Sequence, residues 1–144
     1  MLGAACSAFC GAAGANTREM VGAFVGAAVG HIVRLRLIAA HAHVVTLVTL
    51  CAFASSVVAF GATWGGARLE GIAGVSAFDV ATGKAVLASV LYLVPGVPLV
   101  TSVLDIVHFD LTAGLARAAF ATVVIVSMAV GMVIFLSIVR HLCP

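Results

Sequence analysis

The last third of the chain contains an apolar run, Ala118–Val139, that holds no charged residue. A helix needs about 20 consecutive apolar residues to cross the roughly 30 Å hydrocarbon core of a bilayer. A run of this length would leave much of its apolar surface in water if the chain folded as a small soluble domain. The run therefore predicts a membrane-spanning helix, and it fixes lipid as the solvent in which the rest of the chain folds.

The composition extends this constraint to the whole chain. Of its 144 residues, 64% are hydrophobic and 8% are charged, whereas soluble domains average about 45–50% apolar and about 25% charged residues. The charges punctuate the apolar stretches, and no basic patch has the density that nucleic-acid binding requires. We therefore predict an all-α integral membrane protein that lies in the lipid bilayer and has no nucleic-acid partner.

The apolar stretches between the charges give about five candidate transmembrane helices. The first two are short, and the fourth continues past a break toward Leu104. A glycine-rich segment, residues 61–79, separates the third from the fourth and is expected to be a loop. The five candidates are residues 2–16, Met20–Val33, His43–Thr63, Lys84–Val94 and Ala118–Val139.

The second candidate span carries glycine at every fourth position, at Gly22, Gly26 and Gly30. Residues four apart lie on the same face of a helix. Because lipid gives helices no hydrophobic reason to associate, close backbone packing through small residues has to hold them together. The stripe therefore predicts a tight helix–helix interface, either within this chain or with a partner. Gly114, before the last span, is a further candidate packing position.

The fourth candidate span is interrupted at its centre by Pro95, Gly96 and Pro98. Proline removes a backbone donor and clashes with the preceding turn, so a helix breaks there. Inside a bilayer each freed backbone group is costly unless protein or a water-filled cavity satisfies it. Transporters use such discontinuous helices to bind ions and solutes. The three residues therefore predict a solute or ion pathway.

A polar face follows the break. Thr101, Asp105, His108 and Thr112 are spaced by four, three and four residues, so they share one face of an amphipathic helix. This helix could lie on the membrane surface or enter the membrane as a re-entrant hairpin. Ionisable residues within membranes are usually functional, so we expect Thr101, Asp105 and His108 to line the pathway. Arg117 joins them, because its guanidinium can hold a carboxylate through two hydrogen bonds.

Other chemistry has little support in the sequence. For Asp110 and Arg117, a position in a loop between spans is the open alternative. The four cysteines include no Cys-x-x-Cys pair, and His41 and His43, two residues apart, point to different faces of a helix. Without a nucleophile–base arrangement or metal-ligand spacing, we predict no enzyme, no catalytic residue, no metal site and no cofactor.

The segment LYLVPGVPLVTSVLDIVHFDLTAGLARAAF, residues 91–120, resembles the signature of the threonine/serine exporter family. The resemblance lies in the Val-Pro-Gly-x-Pro-Leu turn, the following Asp105 and the Gly-Leu-Ala-Arg that ends at Arg117. It implies a secondary transporter that exports threonine and serine and is driven by the proton gradient. It also implies a two-chain branch, in which a longer subunit works with a short membrane subunit and which includes a pair linked to succinate export.

The resemblance further implies that this chain is the membrane half of the longer subunit. We expect a single transmembrane domain over residues 1–144, with the family's N-terminal cytoplasmic domain absent. We expect a multi-pass protein of the inner (plasma) membrane, with a second small membrane subunit or another copy of itself as partner and a small carboxylate-bearing solute. Arg34 and Arg36 favour the cytoplasm for the loop after the second span, which places the N-terminus inside.

Three functions remain open at this point. The first is proton-coupled export of threonine and serine, with Asp105 as the hypothetical proton carrier. The second is dicarboxylate (succinate) export together with a second small membrane protein. The third is a non-transporting membrane subunit that assembles a partner through Gly22, Gly26 and Gly30.

Overall fold

The computed structural model describes residues 2–40, 43–69 and 83–142. Within these ranges all regular structure is helical, which confirms the predicted fold class. The helices are α1 (Leu2–Ala12), α2 (Thr17–Ala39), α3 (Val44–Leu69), α4 (Lys84–Val90), which continues as a 3₁₀ turn (Leu91–Leu93), α5 (Gly96–Val107) and α6 (Leu111–Leu142).

Three of the described helices are long and apolar enough to cross a bilayer, namely Thr17–Ala39, Val44–Gly66 and Leu111–His141. The segments Lys84–Leu93 and Gly96–Val107 form a bent pair with 58° between them. The predicted proline–glycine break in the fourth helix is therefore confirmed. The described residues supply three spans, or four if the bent pair counts as one, so the expected number of about five is not confirmed.

The first candidate span is shorter than a bilayer. α1 has 11 residues, which corresponds to about 16 Å or roughly half of the hydrocarbon thickness. Gly14 then turns the chain with a positive φ of 72°, so that α1 folds back onto α2 and Gly11 lies against Met20. The Lys84 ammonium donates to the carbonyl oxygens of Ala13 and Gly14 at 2.8 and 3.1 Å. This pair of bonds ties the start of α4 to the end of α1.

Two helices extend further than the sequence suggested. α2 continues past Val33 to Ala39, so Arg34 and Arg36 lie inside a helix and not in a loop after it. α3 continues to Leu69, so the prediction of a loop is wrong for residues 61–69, and the rest of that loop lies outside the described residues. The physical reason is that a backbone in lipid has no water to bond to, so a glycine-rich segment stays helical there.

α2 is the centre of the bundle and packs against α1, α3 and α4. Its buried residues are all glycine or alanine, which lets the neighbouring backbones come close. α3 packs on its other side against α6, where a Cβ at Gly131 would lie 2.6 Å from the Thr49 carbonyl oxygen. α5 is different, because it packs mainly against α6 and buries only Ser102.

Candidate functional site

The glycine stripe of α2 lies in the groove between α3 and α4 of the same chain. A Cβ at Gly26 would lie 2.8 Å from the Cβ of Ala59 on α3 and 2.9 Å from the Cβ of Ser89 on α4. Gly22 faces Thr63 in the same groove. The stripe is therefore occupied by helices of this chain, and it leaves no room for side chains at these positions.

The stripe also sets the register between α2 and α4. Gly22 lies against Ala85, Gly26 against Ser89 and Gly30 against Tyr92, so the two helices run parallel in matched steps. The next four-residue step on α2 is Arg34. Beside Arg34, α4 and its 3₁₀ turn have already ended at Leu93. The arginine therefore lies next to the break between α4 and α5.

The break itself lies between Leu93 and Gly96. Val94 is extended, with φ −62° and ψ 124°, and Pro95 precedes the first residue of α5. Pro98 lies in the first turn of α5, where a missing N–H removes no helical hydrogen bond. The backbone of the break is partly satisfied locally, because the Gly96 N–H donates to the Val94 carbonyl at 2.8 Å.

The bend opens a cavity of about 420 Å³, which we call the break cavity. Its walls are mostly apolar, and the two side chains in its lining with polar groups are Arg34 and Tyr92. Pro95, Gly96 and Pro98, three of the residues predicted from the sequence, form part of its wall. The remaining lining includes Leu47 and Val48 of α3 and Phe120 and Val124 of α6.

A small polar network supports Tyr92 at the edge of the break cavity. Its hydroxyl lies 3.2 Å from the Ser55 hydroxyl, and the His31 ring packs edge-on against it with the ring centroids 6.2 Å apart. The Nδ1 atom of His31 is buried and has no hydrogen-bond partner in the part of the chain that the structure describes. Arg34, one turn further on, forms no ion pair with a carboxylate of the described ranges.

Asp105 and Arg117 are brought together on the other side of the break. The Arg117 Nη1 donates to the Asp105 Oδ2, and the two side chains are 51% and 24% exposed for arginine and aspartate. Arg117 and Thr101 line a second cavity of about 330 Å³. This cavity shares Val97, Pro98 and Phe120 with the break cavity, so the two are neighbours along one surface.

His108 is not brought to either cavity. The predicted face from Thr101 to Thr112 is wrong beyond Asp105, because α5 ends at Val107. Phe109 then adopts a left-handed conformation with φ 64°. The exposed His108 ring places its Nδ1 2.7 Å from the Leu104 carbonyl oxygen of its own helix.

Asp110 caps the start of α6. Its Oδ1 accepts hydrogen bonds from the Thr112 hydroxyl at 3.1 Å and from the Ala113 N–H at 3.3 Å. A carboxylate at this position satisfies an otherwise free N–H of the first turn. Asp110 and Thr112 therefore have a structural explanation, in line with the open alternative of a turn between helices.

Gly114 lies where α6 crosses α5 most closely. A Cβ at this position would lie 2.7 Å from the Ile106 Cγ1 and 3.0 Å from the Ser102 carbonyl oxygen. A side chain at this position would therefore require a shift of Ile106 or of the α5 backbone. The residue holds α5 against α6 and so positions the Asp105–Arg117 pair.

Two residues of the site were missed by the sequence interpretation. In the sequence Arg34 indicates only orientation, and Tyr92 is one residue of the fourth candidate span. The available signal was the spacing, since Arg34 continues the series of Gly26 and Gly30. Of the pair His41 and His43, the first lies outside the described residues. The described ranges contain no group of three metal-ligating side chains.

Comparison with known proteins adds two findings. Residues 1–139 match the family model described as "Putative threonine/serine exporter". The "Probable succinate transporter subunit YjjP" of Escherichia coli (strain K12) is 30% identical over 138 residues, which is 96% of this chain and 50% of the relative. The chain thus spans about half the length of the curated relative it matches. No solved structure matches the chain.

Proposed function

The chain belongs to the threonine/serine exporter family, and we propose from this premise that it is a transport subunit that exports small carboxylate-bearing solutes along its broken helix. The observation that carries the proposal is the break cavity, about 420 Å³ in volume, at the junction of α4 and α5. Broken helices are stable in lipid where they border protein or a hydrated cavity. Breaks of this kind commonly form the solute sites of transporters.

Threonine and serine are the solutes that we propose first, because the family is described by them. Succinate is the second candidate, because it appears in the name of the relative from Escherichia coli. Each of these solutes carries a carboxylate, which suits a site that has guanidinium groups at its walls. The difference lies in the second charged group, which is an ammonium in the amino acids and a carboxylate in succinate.

We propose that Asp105 couples export to protons. In this structure its carboxylate forms an ion pair with the guanidinium of Arg117. Protonation would remove the charge of Asp105, weaken this ion pair and free Arg117 for the carboxylate of a passing solute. Thr101 would line the same passage, whereas His108, which is exposed and lines neither cavity, has the weakest support of the proposed pathway residues.

The coupling proposal predicts that Asp105→Asn abolishes efflux driven by a pH gradient. Vesicles that contain the chain and its partner subunit would be loaded with threonine, serine or succinate, and efflux would be followed after a pH jump. Asp110→Asn is the matched control, because that carboxylate caps α6 and, unlike Asp105, is not paired with Arg117. Undiminished pH-driven efflux in Asp105→Asn would remove Asp105 from the mechanism. Wild-type vesicles that move none of the three solutes would contradict the transport proposal as a whole.

We further propose a multi-pass protein of the inner membrane with a cytoplasmic N-terminus. A second small membrane subunit, or another copy of this chain, is the proposed partner, because the relative is described as a transporter subunit. The alternative of a non-transporting subunit that assembles through Gly22, Gly26 and Gly30 loses support. Those glycines already pack against α3 and α4 of their own chain, so a partner needs a different surface.

A further inference from the structure

Two guanidinium groups lie beside the broken helix, and they differ in whether a carboxylate of the described residues is paired with them. Arg117 is paired with Asp105. Arg34 lines the break cavity and has no carboxylate partner among the residues that the structure describes. A charged group on the wall of a largely apolar cavity is costly unless an opposite charge compensates it. Arg34 is therefore a cation in the lining of the break cavity that has no carboxylate counter-ion among the described residues.

The packing of α2 explains why this cation is at the break. The positions before it on the same face, Gly26 and Gly30, are sealed against α3 and α4. Arg34 is the first position of the series at which α4 no longer covers α2. Its side chain enters the space left by the bend, next to Val48 of α3 and Tyr92.

The remaining surroundings of Arg34 also favour an anion. Gly96 and Val97, at the N-terminal end of α5, form part of the same wall, and helix N-termini carry a partial positive charge. When the Ser55 hydroxyl is the donor in its bond with Tyr92, the single O–H of Tyr92 is available to donate to an anion. The volume of about 420 Å³ falls within the range of about 300–1,000 Å³ that is usual for small-molecule sites.

We infer that Arg34 binds the carboxylate of the transported solute in the break cavity, with Tyr92 as an additional donor. This inference rests on the proposed export function, and it names Arg34 as the residue that binds the solute. The sequence interpretation had assigned the carboxylate to Arg117, whose guanidinium is occupied. Among the described residues Arg34 has no carboxylate partner, and the neighbouring cavity, which Arg117 lines, lies next along the same surface.

The inference can be tested by binding rather than by transport. The purified full-length chain, in nanodiscs of phosphatidylcholine, would be titrated with L-serine and with succinate by calorimetry. Arg34→Gln is expected to weaken binding of the responding solute roughly 10- to 100-fold, because a charge-assisted pair of hydrogen bonds is lost. The affinity of Arg34→Lys is expected to lie between those of the wild-type chain and Arg34→Gln, since lysine keeps the charge but not the planar guanidinium.

Arg36→Gln is the matched control, because Arg36 is an exposed arginine of the same helix that does not line the break cavity. Its affinity is expected to equal that of the wild-type chain. If Arg34→Gln does not fold, Arg34→Met, which also removes the charge, takes its place, and undiminished affinity of that folded variant overturns the inference. Serinamide and succinamide, which lack the carboxylate charge, serve as negative probes, and their equal binding would also overturn it.

Two further outcomes separate this inference from the proposed function. If L-serine or succinate binds equally well to the wild-type chain and to Arg34→Gln, the solute site lies elsewhere while export stands. If glycerol phosphate competes with the carboxylate in the wild-type chain but not in Arg34→Gln, and with higher affinity, Arg34 holds a lipid headgroup and the inference fails. Failure of the export function would be seen instead in the efflux assay, as absent transport in wild-type vesicles.

Discussion

The seam of α2 between α3 and α4 and the hairpin of α5 and α6 use glycine in the same way but differ in how firmly they are held. α2 buries five residues, all glycine or alanine, against α1, α3 and α4. α5 buries one residue, Ser102, and packs mainly against α6. The bent pair of α4 and α5 joins these two regions, because α4 belongs to the seam and α5 belongs to the hairpin.

This difference locates the part of the molecule that can move. Regions with few buried contacts open at a lower free-energy cost than a packed core. The break cavity lies at the boundary between the two regions, with Arg34 of α2 on one side and Phe120 of the hairpin on the other. A displacement of α5 would therefore change the cavity while Arg34 stays in place, because α6 is held against α3 by buried residues such as Val124 and Phe135.

The largest loss of stability is expected when a side chain is added inside the seam. Gly26→Leu would place a side chain against Ala59 and Ser89 on two helices, and such overpacking should cost about 3 kcal/mol or more. Thermal unfolding in detergent would measure the loss. Gly61→Leu is the control, because a Cβ at Gly61 meets nothing within 4 Å. Equal melting temperatures for the two variants would contradict the packed seam.

A smaller and more local effect is expected in the hairpin. Gly114→Val would collide with Ile106 and the Ser102 carbonyl, at a cost of about 1–3 kcal/mol. Hydrogen exchange should then rise in α5 while the amides of α2 stay protected. Gly96→Ala is the control, because a Cβ at Gly96 meets nothing within 4 Å. It should leave hydrogen exchange in α5 and in α2 unchanged. Faster exchange throughout α2 would show that the seam and the hairpin unfold as one unit.

The smallest effect is expected at the turn that ends α5. Phe109 has φ 64° and is 90% exposed, and a left-handed conformation is unfavourable for a residue with a Cβ. Phe109→Gly should therefore stabilise the hairpin by up to about 1 kcal/mol, after the greater flexibility of glycine in the unfolded chain is subtracted. His108→Gly should destabilise it, because His108 has an ordinary φ of −84°. Denaturant titration of both variants provides the measurement, and a loss of stability in Phe109→Gly would exclude strain at this turn.

Several features follow from the sequence because they depend on local chemistry. An apolar run in lipid must bond its own backbone, so Ala118–Val139 had to be helical. Pro95 and Pro98 break a helix wherever they occur in its interior, and the bend of 58° lies at that place. The signature that surrounds Asp105 and Arg117 identified the family, which the family match over residues 1–139 confirms.

Other features could not be read from local patterns. The polar face was continued through Thr112 because the spacing fitted a helix, but the left-handed Phe109 stops α5 before it. Phenylalanine gives no sequence signal for such a turn, which glycine or asparagine usually provides. α2 and α3 also extend beyond the ends that charge and glycine content predict, to Ala39 and Leu69.

The sequence by itself determined that this chain is a bundle of helices in lipid with one of them broken, since helix formation in a membrane is a property of each segment. Only the tertiary structure decided which cation faces the break. That choice depends on the parallel register of α2 and α4, in which Gly30 lies against Tyr92. Register is set by contacts between backbones that are distant in the sequence, so no single segment encodes the position of Arg34.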